Sequence, residues 1–81
     1  MKRVIFLAPA QRALRKHRAE ALRLIEKIEA YAANSTAFPK VITLQGRPGK
    51  RLRVGGFRIL FEETATEIIV TDIGPRGDIY D

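Results

Sequence analysis

Two adjacent glycines constrain this chain more than any other feature. Gly55-Gly56 stands between the runs K-R-L-R-V and F-R-I-L-F, both of which alternate apolar and polar residues. A two-residue Gly-Gly loop suits a tight primed turn, because both residues tolerate positive φ. The stretch from Lys50 to Phe61 therefore reads as a β-hairpin with Val54 opposite Phe57, Arg53 opposite Arg58, Leu52 opposite Ile59 and Arg51 opposite Leu60. Side chains alternate faces along a strand, so Leu52, Val54, Phe57 and Ile59 share one face and Arg51, Arg53 and Arg58 the other. Like charges directly opposite one another destabilise a sheet. Either an anion belongs among the three arginines, or they splay into solvent over an ordinary polar face.

Length and charge narrow the setting. A chain of 81 residues is expected to form a single domain, 1–81, with one modest core. There is no cysteine and only one histidine, His17, so neither a disulfide framework nor a Cys/His metal site is expected. The apolar run at Val4–Ala8 is too short for a membrane span and has no signal-peptide context, which leads us to expect a cytoplasmic location with no membrane partner. Residues 1–60 carry 14 Lys or Arg against 3 Asp or Glu, whereas residues 61–81 carry 1 against 6. A basic body of this kind is the electrostatic footprint of a protein that meets nucleic acid or an acidic protein, although a soluble basic domain can look the same.

Val4-Ile5-Phe6-Leu7-Ala8 reads as a first strand, and Pro9 suits the first turn of a following helix. From Ala10 to Asn34 no Gly or Pro interrupts, and Leu14, Ala21, Ile25, Ile28 and Ala32 form a helical stripe that fits one long helix or two short ones. His17 reads as a surface or hinge residue. Val41–Leu44 is a short strand or a turn, and Gly46–Gly49 a loop. Glu67–Ile73 reads as a central strand. Taking Thr64-Ala65 as a second two-residue turn pairs Phe61 with Ile68, Ile59 with Val70 and Thr71 with Arg58, and brings Arg76 close to the arginine pair. Gly74-Pro75-Arg76-Gly77 reads as a turn rather than more strand, with Tyr80 able to fold back toward the hairpin.

The phrases L-Q-G-R-P-G, R-L-R-V-G-G-F-R-I-L-F-E and D-I-G-P-R-G-D-I-Y, in this order of elements, resemble the RelE/ParE superfamily of type II toxins. The resemblance spans most of the chain and is strongest from Leu44 to Tyr80. It implies an α+β fold in which two N-terminal helices, broken near His17–Glu20, pack on one face of a twisted antiparallel sheet of about four strands, the first strand beside the last. It also implies a cognate antitoxin as partner. The RelE branch binds in the ribosomal A site and cuts mRNA without a cofactor; the ParE branch poisons gyrase; an inactive relative would only bind antitoxin or RNA.

Position by position, the resemblance makes Arg58, Arg76 and Tyr80 the catalytic set. Arg51, Arg53 and the adjacent Lys50 would hold flanking RNA phosphates. Keeping Arg58, Arg76 and Tyr80 together points to the RNase branch. Two departures bear on the chemistry. Arg51 and Arg53 stand where the archetype has lysines, and an arginine cannot serve as general base. Position 75 is proline where many relatives have histidine.

Overall fold

The structure is a computed structural model that describes residues 1–38, 41–46 and 48–75. Strand β1 (Arg3–Phe6) leads into helix α1 (Ala8–Lys16) and helix α2 (Arg18–Ala33); a 3-10 turn (Ser35–Ala37) and strands β2 (Ile42–Thr43), β3 (Lys50–Val54), β4 (Phe57–Glu63) and β5 (Glu67–Pro75) follow. The sheet runs in the order β1-β5-β4-β3-β2. It is α+β, with both helices packed against a five-stranded sheet. The first strand does lie beside the last, and because β1 runs parallel to β5 the sheet is mixed; the fifth strand is the two-residue β2 at the far edge.

Local chemistry explains the helices. Pro9 falls in the first turn of α1, where its missing N–H leaves no helical bond unmade. Gln11 Nε2 donates to the Phe6 carbonyl at 2.7 Å and ties that turn back to β1. The helix breaks at His17, whose φ of −112° and ψ of 57° are not helical. The His17 ring meets Phe57 edge-on at 5.0 Å, so the break packs against the start of β4.

The break also resets the apolar stripe. Ile28 and Ala32 are buried as expected, but Leu14 is only packed against the margin of the core and Ala21 and Ile25 are half-buried. The deepest helical positions are Ala10, Leu24, Ile28 and Tyr31. A single phase carried through from Leu14 misplaces the second helix, because each half orients its own stripe independently once the helix is interrupted. These residues close over Leu52, Val54, Ile59, Phe61, Ile68, Val70 and Ile73 in one core.

The hairpin has the expected register at every rung from Arg51↔Leu60 to Val54↔Phe57. Only Gly55 takes positive φ, at 58°, which is the pattern of a II′ turn rather than the I′ form. A Cβ on Gly55 would also lie 2.6 Å from Arg23 Nη2, whereas one on Gly56 would meet nothing within 4 Å. Gly55→Ala is therefore expected to cost about 1 to 2 kcal/mol and Gly56→Ala almost nothing. Thermal melts of the two variants check this, and equal melting temperatures would remove the turn from the account.

The β4–β5 pairing differs from the expected one. Thr64 N donates to Glu67 O at 2.9 Å, and Thr64 Oγ1 accepts from Thr66 N and Glu67 N. The turn is thus Ala65-Thr66, one residue later than Thr64-Ala65, and Phe61 pairs with Val70 instead of Ile68. A shift of two residues leaves Ile68 and Val70 facing the core. A bulge between Leu60 and Phe61 then changes the phase, giving Ile59↔Ile73 and Arg58↔Gly74 in place of Ile59↔Val70 and Arg58↔Thr71. Without the extra residue the charged Asp72 would face the core where Ile73 now sits 4% exposed.

Gly74 and Pro75 continue β5 rather than turning away from it. Pairing with β1 ends at Phe6↔Val70, so among the described residues no strand flanks β5 on that side at Pro75, where proline's missing N–H is tolerated. Among the described residues, no helix is long and apolar enough to cross a membrane.

Candidate nucleic-acid interface

Arg53 and Arg58 face each other across the β3–β4 ladder, one rung from the Gly-Gly turn. Arg51 is two residues back along β3 on the same face. Arg53 is exposed, while Arg51 and Arg58 are half-buried and Arg58 Nε is shielded from solvent. Between them lies Leu60, opposite both Arg51 and Asp72 and only 6% exposed. Leu60 thus gives the arginine-bearing face a buried apolar position beside Arg51 and Arg58. On β5 the residue beside Arg58 is Gly74, which has no side chain. The bulge is what sets glycine there, since the expected register would have put Thr71 beside Arg58.

The structure brings together Arg51, Arg53 and Arg58 but not Lys50. Lys50 alternates to the opposite face, where its Nζ donates to Glu63 Oε1 at 2.8 Å. Arg76 and Tyr80 lie outside the described residues, as does the anticipated approach of Arg76 to the arginine pair.

Three features of this region carried no usable signal in the sequence. A groove of about 660 Å³ runs along β3 between Ile42, Arg51, Leu52, Arg53 and Gly55. A smaller cleft of about 190 Å³ lies between Lys16 and His17, at the end of α1, and Asp72, Gly74 and Pro75. Asp72 itself joins the arginine face, its Oδ1 accepting from Ile73 N at 2.8 Å. The 70-to-73 spacing of apolar residues in β5 was the one available hint, since an inward Val70 and an inward Ile73 require a bulge between them.

Away from the arginines, Glu63 gathers the charges at the other end of β4. Its carboxylate accepts from Lys2 Nζ at 2.6 Å, Lys50 Nζ at 2.8 Å and the Tyr31 hydroxyl at 2.7 Å. Burial by itself would raise the Glu63 pKa, but these three hydrogen bonds outweigh it and hold the group at about 2, against an ordinary 4.5. The Tyr31 phenol is pushed up by burial and by Glu63. The Lys50 ammonium is pushed up by its hydrogen bond to Glu63, against the opposing effect of burial. The cluster joins the chain start, α2, β3 and β4.

The fold is shared with several solved structures. YafQ from E. coli matches over 100% of both chains with a TM-score of 0.75 at 10% identity. A chain of the archaeal RelE-RelB complex from Pyrococcus horikoshii matches with a TM-score of 0.75 at 23% identity, covering 96% of this chain and 98% of that one. A chain of the RelBE2 toxin-antitoxin complex from Mycobacterium tuberculosis matches with a TM-score of 0.65 at 20% identity, over 93% and 98%. No curated protein sequence matches significantly. The family is nevertheless settled by sequence: residues 4–80 match the family of ParE toxins of type II toxin-antitoxin systems (parDE), and the chain belongs to it.

Proposed function

We propose that this toxin is a ribosome-dependent endoribonuclease that cuts mRNA and so stops translation. One observation carries the reading: Arg53 and Arg58 are held directly opposite each other on the sheet face away from the helices, with glycine at the neighbouring position on β5. Such a pairing is locally unfavourable, and a bound phosphodiester relieves it.

The chemistry that suits the site is transesterification. The ribose 2′-oxygen attacks the adjacent phosphorus, the bond to the 5′-oxygen breaks, and the products are a 2′,3′-cyclic phosphate and a 5′-hydroxyl. Charge builds on the nonbridging oxygens, where Arg58 and Arg76 stabilise the transition state more than the ground state. Arg51 and Arg53 hold flanking phosphates. Lys50, engaged by Glu63 on the far face, is left out of the contact set. Tyr80 is the group assigned to move the proton, because neither Arg53 nor Pro75 can, and nearby cations lower a phenol's pKa in the useful direction.

Tyr80→Phe tests that assignment while leaving every charge in place. Ribosome binding should stay normal and single-turnover cleavage should slow roughly 10²-fold or more. Unchanged cleavage would reduce Tyr80 to a stacking ring and leave the arginines as the catalytic apparatus.

The partner of the resting toxin is a cognate antitoxin, as in the RelE-RelB and RelBE2 complexes, and an acidic or amphipathic segment over the arginines complements their charge. Co-expression with the neighbouring reading frame should restore growth; equal arrest with and without it rules that frame out as the antitoxin.

A gyrase-directed toxin is the second reading, and it has its own support in the ParE family match. Induced expression with mapping of mRNA 5′ ends separates the two. Cuts inside translated codons support the RNase; an SOS response with intact mRNA overturns it.

A further inference from the structure

Besides the arginine face, positive charge among the described residues also gathers on the helices. Arg12, Arg15 and Lys16 are exposed and spaced i, i+3 and i+4, so they share the side of α1 opposite Ala10 and Ala13, and Arg18 is exposed just past the break. No carboxylate is interspersed within α1. The contrast with the rest of α2 is direct, because beyond Arg18 its Arg23 and Lys27 are interspersed with Glu20, Glu26 and Glu29. None of Arg12, Arg15, Lys16 and Arg18 makes an ion pair or side-chain hydrogen bond with another described residue, whereas Lys2, Arg3, Arg23 and Lys50 all do.

Helix electrostatics explains part of this pattern only. Arg15 and Lys16 occupy the last turn of α1, where the macrodipole favours cations. Arg12 lies a turn earlier, at repulsive spacing from both. Arg18 opens α2, where the positive end of the dipole disfavours it. A helix surface selected for solubility alone intersperses both signs, as α2 does.

We propose that Arg12, Arg15, Lys16 and Arg18 form a second RNA-binding ridge, separate from the arginine face, that grips the phosphate backbone of duplex RNA. Duplex is preferred to single strand because the ridge presents no aromatic side chain on which a splayed base could stack, and His17 is turned inward against Phe57. The choice of RNA over DNA rests on the ribosomal reading above; the ridge itself does not. Two carboxylates border the ridge: Asp72 shares the small cleft with Lys16 on the β5 side, and Glu20 follows Arg18 in α2 but pairs with Arg23.

The test is binding of the full chain to a 20-base-pair RNA duplex, followed by fluorescence anisotropy across a salt series without ribosomes. Cleavage is not needed, so the result is independent of whether the protein is an RNase. The triple variant Arg12→Gln, Arg15→Gln and Lys16→Gln keeps good helix formers at exposed positions. It should bind about tenfold or more weakly at 50 mM salt and lower the slope of log K against log salt by roughly 2 to 3, the loss of three phosphate contacts. Circular dichroism should be unchanged, and Arg12→Lys with Arg15→Lys should bind nearly as wild type. An unchanged slope in the triple variant overturns the ridge. Tighter binding of single-stranded oligouridylate, or of the matching DNA duplex, overturns its assignment to duplex RNA. So does a triple variant that keeps RNA affinity and loses the antitoxin instead, because the ridge would then be a protein-docking surface.

Discussion

Arg58→Ala is expected to slow single-turnover mRNA cleavage on programmed ribosomes by roughly 30- to 1,000-fold, a transition-state loss of about 2 to 4 kcal/mol. The guanidinium stands beside Gly74 and opposite Arg53, so it is the cation placed to meet charge developing on the reacting phosphate. Stability should move little. The substitution removes the packing and polar contacts of a half-buried side chain but also removes a like charge held directly across the ladder, and these act in opposite directions. Loss of cleavage with a near-constant melting temperature is thus the expected signature. A fall in melting temperature that accounts for the lost activity would make Arg58 a structural residue and remove the main support for the RNase reading.

Glu63→Gln should do the reverse, leaving the arginine face intact while destabilising the fold. Glutamine keeps the shape but leaves two ammonium groups, Lys2 and Lys50, facing each other over a neutral side chain. Removing one partner of a buried ion pair costs about 3 to 5 kcal/mol. The Lys2 and Lys50 side chains are 31% and 38% exposed and the Glu63 side chain 11%, so solvent screening reduces this to about 2 to 3 kcal/mol. For a domain of this size that lowers the melting temperature by roughly 10 to 20 °C. A variant that melts within a few degrees of wild type would show the cluster to be energetically idle.

The pH dependence follows with a definite sign. Glu63 has a folded pKa of about 2 against an ordinary 4.5, so its contribution is complete above pH 4.5 and is lost as pH falls toward 2. Urea titrations should therefore show wild-type stability dropping across that window, and Glu63→Gln should flatten the drop. Lys50, whose pKa is raised, contributes with the opposite sign, losing its share only as pH rises through the folded value above 10.5. An equally steep acid limb in the variant would assign it to other carboxylates.

Much of the fold was already legible where neighbouring residues decide the geometry. Gly55-Gly56 allows one tight turn, and with it each rung of the 50–61 hairpin and the grouping of Arg51, Arg53 and Arg58 were determined. Pro9 marked the first turn of α1, and strands near Val4–Ala8 and Glu67–Ile73 followed from their β-branched runs, although β1 stops at Phe6, with Ala8 already in α1, and β5 runs on to Pro75.

What depended on distant residues had to await the tertiary structure. Thr64-Ala65 and Ala65-Thr66 are both acceptable two-residue turns, and the second is held by the Thr64 Oγ1 bonds together with the fit of β5 between β1 and β4. The bulge at Leu60/Phe61 arises because Ile73 must enter the core and Asp72 must stay out of it, a choice made by the helices packed above. Lys50 adjoins Arg51 in the chain, but pleating sends it to the other face. There it meets Glu63, with Lys2 arriving from 61 residues away and Tyr31 from 32. Local sequence determined which residues share a strand face; only close packing of separate elements decided which charges meet at Glu63 and which β5 residue stands beside Arg58.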